Sequence, residues 1–169
     1  RFLNRLTPPG TILEINSERL AYSKLFHQAG YSLIDIETTE IKLQHPNQYA
    51  IDTMYKPLEE LLLSYRSLQG IWAHQSFSYY PRKDLLDILE RCLDWLSPEG
   101  VISFCMPEGD GEMVRQSLTG YGNKKLLRVF YQADELASML ELAGFQVIEA
   151  WREEHNDFNY IHVICMNPR

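Results

Sequence analysis

Thr11-Ile12-Leu13-Glu14-Ile15, then Arg19 to Ala29, then Ser32-Leu33-Ile34-Asp35-Ile36 is the stretch that decides the fold. The first run is rich in β-branched residues and follows the breaker Pro8-Pro9-Gly10, so it reads as a strand. Between Arg19 and Ala29 apolar side chains recur at Leu20, Leu25, Phe26 and Ala29, which fits a helix stopped by Gly30. Leu33-Ile34 and Ile36 then give a near-continuous apolar run, the pattern of a strand buried on both faces, as parallel strands are. Strand, helix, strand makes one β-α-β unit.

The alternation continues outward from that unit. Pro57 to Tyr65 carries Leu58, Leu61, Leu62 and Tyr65 at helical spacing with proline in the first turn, which predicts a helix. Gly70-Ile71-Trp72-Ala73 reads as a third strand. Lys83 to Leu96 aligns Leu85, Leu86, Leu89, Cys92, Leu93 and Leu96 along one stripe, and Ser97-Pro98-Glu99-Gly100 ends that helix. Val101 to Met106 is a further buried strand, and Asp134 to Ala143 a helix with Gly144 as its C′ residue. Glu40 to Lys56 shows no clean period. Phe145 to Trp151 and Tyr160 to Met166 are two strands with no helix between them, and only antiparallel strands can be joined so briefly. These readings predict one domain over residues 1–169: a doubly wound, Rossmann-like α/β sheet, mostly parallel, closed by a C-terminal antiparallel hairpin.

Composition narrows the function classes. Sixteen Lys and Arg against twenty-three Asp and Glu give a net charge of −7 in 169 residues, so no general field attracts phosphate backbones or anionic headgroups. The basic pairs Arg82-Lys83 and Lys124-Lys125 are too small for a nucleic-acid footprint. Nucleic acid and membrane are therefore not expected as partners. Cys92, Cys105 and Cys165 are odd in number and far apart, with neither zinc spacing nor a disulfide framework, which points to a reducing cytoplasm. The chain starts at Arg1 and soon enters its first strand, so it reads as a piece excised from a longer polypeptide whose other domains would be its partners.

Ile12-Leu13-Glu14-Ile15, then Gly30, then Ile36-Glu37-Thr38-Thr39 resembles the opening of the class I S-adenosylmethionine-dependent methyltransferases, in which an acid ends each of the first two strands. Gly70-Ile71-Trp72-Ala73 with Ser76-Phe77 and Pro81-Arg82 continues the likeness. Leu96-Ser97-Pro98-Glu99-Gly100-Val101 is similar to the family's leucine-x-proline-glycine-glycine turn. Glu108 to Glu112, Arg128-Val129-Phe130-Tyr131, Glu135-Leu136 and Ala143-Gly144-Phe145 resemble the later part of a small bacterial subgroup. The resemblance runs from about Thr11 to the end of the chain. It implies S-adenosylmethionine (SAM) as cofactor and a small-molecule or protein acceptor. Glu37 would accept the ribose hydroxyls, Glu14 would hold the first loop, and Asn16 and Ser17 would lie in that loop. Asp52 would hold the adenine amino group. His74 and Gln75 would lie where the methyl is transferred, with His74 as the candidate base. Tyr79 stands where the subgroup usually has a histidine.

One departure bears on all of this. Where the family places glycines after its first strand, this chain has Asn16, Glu18 and Leu20. Those glycines allow positive φ and let bare backbone approach the cofactor, whereas a side chain there blocks the approach. Asn16 tolerates a left-handed conformation; Glu18 and Leu20 carry a Cβ penalty of roughly 1–2 kcal/mol in that geometry. The expectation is a methyltransferase-like domain with SAM binding weakened or lost, acting as scaffold or regulator. The alternative is an active methyltransferase with a rebuilt cofactor loop. A nicotinamide-linked reductase would want Gly-x-Gly-x-x-Gly, and Gly109-Asp110-Gly111-Glu112 lacks the Gly-Lys-Ser/Thr ending of a phosphate-binding loop. Tyr79, Tyr80, Tyr121, Tyr131 and Arg128 are candidate walls of an acceptor cavity. Cys105 has no histidine near it in sequence and reads as core. Glu153, Glu154, His155 and Asp157 read as a solvated hairpin tip, so no metal site is expected.

Overall fold

The computed structural model describes residues 1–16, 21–38, 53–116, 125–155 and 158–169. In chain order the elements are β1 (Gly10–Ile15), α1 (Ala21–Gln28), β2 (Tyr31–Glu37), β3 (Thr53–Tyr55), β4 (Leu68–Ala73), α2 (Leu85–Trp95), β5 (Leu96–Pro107), β6 (Glu112–Gln116), β7 (Lys125–Val129), α3 (Ala133–Ala143), β8 (Gln146–His155) and β9 (Phe158–Met166). The main sheet has the order β3-β2-β1-β4-β5-β9-β8, and β6 and β7 form a separate two-stranded ribbon. β1 to β5 run parallel, while β9 is antiparallel to both β5 and β8. This is the doubly wound sheet with a C-terminal hairpin that the sequence predicts. Strand order reverses between β1 and β4, so a crevice opens beyond their carboxyl ends.

The two faces are covered unequally. The stripe on α2 (Leu85, Leu89, Cys92, Leu93) and the buried side of α3 (Leu136, Leu140, Ala143) pack on Leu13, Ile71, Ile102 and Phe104 of the sheet. On the opposite face Phe2, Ile12, Phe26 and Tyr31 form a smaller cluster, supplied by α1 and by a short 3-10 turn at Phe2–Arg5. Gly70 makes that turn possible, because a Cβ on it would lie 2.8 Å from the Phe2 ring.

At its N-terminus α3 is held by the Gln132 N–H donating to Glu135 Oε2 at 3.0 Å. It ends as expected at Gly144, whose φ is 94°. There the Gly144 N–H donates to the Glu141 carbonyl at 3.0 Å and the Phe145 N–H to the Leu140 carbonyl at 2.9 Å. Gly144→Ala is expected to cost about 1–2 kcal/mol through the left-handed backbone alone, measured as a lower urea midpoint at unchanged slope.

Three expectations need correction. Pro57 to Tyr65 is not a helix: a 3-10 turn covers only Leu58–Glu60, and the chain then extends at Leu61. The Arg91 guanidinium on α2 donates to the Leu58 carbonyl (3.3 Å) and the Leu61 carbonyl (3.0 Å), acceptors that a continuing helix would use itself. Leu58 and Leu61 are buried anchors, whereas Leu62 and Tyr65 are exposed. The helix expected from Lys83 begins at Leu85, and Leu96 already pairs with Leu68 of β4. The closing hairpin is longer than expected, reaching His155 and resuming at Phe158.

Candidate functional site

The site grows from the carboxyl ends of β1, β2 and β4. Asn16 follows β1 with φ 57°, the left-handed backbone the sequence allows it. Its N–H donates to the Ile36 carbonyl at 2.8 Å. Its Oδ1 accepts from both the N–H (2.8 Å) and the hydroxyl (2.9 Å) of Thr38, so the side chain stitches the end of β1 to the end of β2. Beneath that stitch lie three buried carboxyls, Glu14, Asp35 and Glu37, with Glu14 directly beside Asp35 in the parallel register. The Ser23 hydroxyl donates to Glu14 Oε2, and Glu14 Oε1 has no hydrogen-bond partner among the described residues. Burial pushes the Glu14 carboxyl up to about 7; the Ser23 hydrogen bond opposes this, and the charges of Asp35 and Glu37 add to it.

On the β4 side, the Ser76 hydroxyl donates to the Ile15 carbonyl at 2.7 Å and ties the two strand ends at the switch point. Arg128, carried in by the β6–β7 ribbon, then spans this end of the sheet. It donates to Tyr79 Oη (2.9 Å), Tyr160 Oη (2.7 Å) and Gln75 Oε1 (3.4 Å).

A cavity of about 780 Å³ opens on the α1 face, reaching from Glu14 and Asn16 past Tyr22 and Trp72 to Trp151 and Tyr160. Its floor is set by sheet register. Ala73 faces Phe104, so the next step of the parallel ladder places His74 beside Cys105; Cys105 faces His162, and His162 faces Trp151. Cys105 Sγ lies 3.7 Å from His74 Nδ1. Trp72 stacks on His74 with ring centres 5.9 Å apart and planes 7° apart, and Trp151 stacks on His162 at 4.9 Å and 14°. Glu153 Oε2 approaches His162 Nε2 to 3.5 Å. Burial lowers the His162 pKa; Glu153 opposes that shift, while His74 and Arg1 reinforce it.

Of the residues expected from sequence, Glu14, Asn16, His74 and Gln75 converge on this cavity. Glu37 does not line it and has only 2% of its surface exposed. Ser17, Glu18, Leu20, Asp52 and Tyr121 fall outside the described residues. Arg128 and Tyr79 do meet, but neither lines the cavity; Tyr131 is fully buried core and Tyr80 packs against the core, so none of the four is a cavity wall. Cys105 has the histidine that its sequence neighbourhood lacks, supplied by the adjacent strand. Glu153 belongs to β8 and reaches His162, where the sequence suggests a solvated tip. Sequence reasoning missed Trp72, Trp151, Tyr160 and His162; the one available signal is the two-residue spacing of Trp72 with His74 and of Tyr160 with His162.

No protein-family model and no curated protein sequence matches the chain. Solved structures do. A SAM-dependent methyltransferase of Methanosarcina mazei superposes with a TM-score of 0.80 at 14% identity, over 97% of this chain and 95% of that one. A SAM-dependent methyltransferase of Mesorhizobium loti gives 0.73 at 12% identity, over 98% and 95%. The 1,6-didemethyltoxoflavin-N1-methyltransferase of Burkholderia thailandensis, solved with bound 1,6-didemethyltoxoflavin and S-adenosylhomocysteine, gives 0.72 at 17% identity, over 94% and 71%.

Proposed function

We propose that this chain, which has the fold of the SAM-dependent methyltransferases, is a methyltransferase-like domain with weakened or lost cofactor binding that serves as scaffold or regulator within a longer polypeptide. The observation that carries this reading is the Asn16 stitch. At the point where the resemblance calls for bare glycine backbone, a carboxamide crosses from β1 to β2 with its oxygen already accepting twice from Thr38. A cofactor entering there must displace both bonds. The acid expected at the ribose, Glu37, is 2% exposed and lies beneath the surface that the hydroxyls would approach. Glu14 and Asp35 add two more carboxyls to the same pocket of low dielectric, so the residues present do not fit the cofactor.

Calorimetry with SAM and with S-adenosylhomocysteine, the ligand of the Burkholderia structure, tests the reading. No heat at millimolar ligand is the expected result. Micromolar binding would establish the alternative instead, an active methyltransferase with a rebuilt loop. An Asn16→Gly, Glu18→Gly, Leu20→Gly variant is expected to gain measurable binding, since it returns the loop to bare backbone at all three points.

A further inference from the structure

We infer that His74, Cys105 and His162 form a binding site for a thiophilic divalent cation, Zn²⁺ by preference, with an open coordination position facing the cavity. The residue that follows β4 and one residue each of β5 and β9 fall in a single row at one end of three adjacent strands. Their ligand atoms all lie within 4.8 Å of one another, and Cys105 Sγ is 3.7 Å from His74 Nδ1. Zn–S near 2.3 Å and Zn–N near 2.0–2.1 Å in a tetrahedron put ligand atoms about 3.5 Å apart. Side-chain rotation closes the widest pair by the roughly 1 Å that remains.

Donor chemistry and setting agree. A thiol with two imidazoles is a borderline-soft set suited to zinc and not to calcium or magnesium. Both rings are already held by indoles, so little orientation is lost on binding. Cys105 is buried between the two histidines, which are half-buried and line the cavity, and this leaves the fourth position to water or to a ligand entering from it. Glu153, beside His162, brings a carboxylate to the same rim. Arg1, whose charge acts on His162, is stacked over Trp151 at 4.5 Å and paired with Glu149 at 2.5 Å, which offsets its charge. On binding, Zn²⁺ forms a bond to the Cys105 sulfur as the thiol S–H bond breaks and its proton leaves to solvent; the imidazoles donate lone pairs and stay neutral.

The test uses the untagged chain freed of metal by a chelator, titrated with Zn²⁺ against a chromophoric competitor and, separately, with Co²⁺. One equivalent of zinc is expected to be held against the competitor. Co²⁺ is expected to give tetrahedral d–d absorption with a thiolate-to-cobalt charge-transfer band. Removing a supporting partner of a ligand typically costs 10–100-fold in affinity, so Cys105→Ser, His74→Gln and His162→Gln are each expected to weaken zinc at least about 100-fold. Cys105→Ser also loses the charge-transfer band, His162→Gln retains it, and His27→Gln on α1 changes nothing. Should Cys105→Ser lose its circular-dichroism signature, the half-buried His162→Gln carries the comparison. Zinc held no better by the parent than by His162→Gln, or a Co²⁺ spectrum without the thiolate band, overturns the site and leaves a thiol–imidazole hydrogen bond in its place.

Discussion

Glu14→Gln is expected to match the parent chain in stability near pH 4 and to exceed it by about 3 kcal/mol at pH 8, a difference of roughly 6–12 °C in Tm for a domain of this size. The sign follows from burial. The Glu14 carboxyl is fully inaccessible in the fold and titrates near 7, against 4.5 when the chain is open. Over that window the folded state holds a proton that the unfolded state has released. Its contribution is therefore intact below about 4.5 and is lost as pH rises through 7. Between 4.5 and about 7, at about 1.4 kcal/mol per pH unit, the lost contribution comes to about 3 kcal/mol. An amide at this position stays neutral throughout and keeps an oxygen to accept from Ser23. Urea unfolding of both proteins at four pH values gives the comparison. A gap that stays flat with pH would mean that Glu14 is ionised in the fold. A ligand carrying positive charge into the cavity would have the same effect, so flattening on addition of a candidate ligand reports binding at this site.

How far the fold can be read from the sequence follows from what each element buries. β1, β2, β4, β5 and the closing hairpin leave apolar runs because they are packed against helices or neighbouring strands, and those runs are what the reading detects. The β6–β7 ribbon escapes it. Met113, Val114 and Leu126 are exposed, so among the described side chains no alternation of buried and solvated positions marks the strands. Leu58 and Leu61 mislead because a spacing of three serves a 3-10 turn as well as an α-helix, and only Arg91 on a later helix decides between them. The site divides the same way. Glu14 lies in β1, Asn16 follows it, and His74 and Gln75 follow β4, so all four can be placed from those strands alone. The row from His74 through Cys105 to His162 exists only in the register between strands, which no local pattern encodes.

Tyr131→Ala is expected to cost about 3–5 kcal/mol and Tyr131→Phe no more than about 1, measured by urea unfolding with the slope compared between variants. The ring is fully buried, and a truncated side chain leaves a cavity that the surrounding sheet and helices close only in part. It is also the platform for Arg82, whose guanidinium lies 4.1 Å over its centre. From there Arg82 donates to the Phe130 carbonyl and to Glu135 at 2.7 Å, joining the end of the β6–β7 ribbon to the first turn of α3. Loss of the ring releases that clamp as well as the packing. The hydroxyl matters less: it donates to the Arg82 carbonyl at 3.3 Å, and burial pushes its pKa up to about 12, so it stays neutral at working pH and leaves no charge behind when removed. A cost below about 1 kcal/mol for Tyr131→Ala would instead mean a ring that faces open space, as an acceptor wall does. The ribbon that presents Arg128 to Tyr79 and Tyr160 is fastened through this same clamp. Tyr131→Ala is therefore expected to loosen that end of the cavity even in molecules that remain folded, seen as faster amide exchange over β6 and β7 than over β1 and β4.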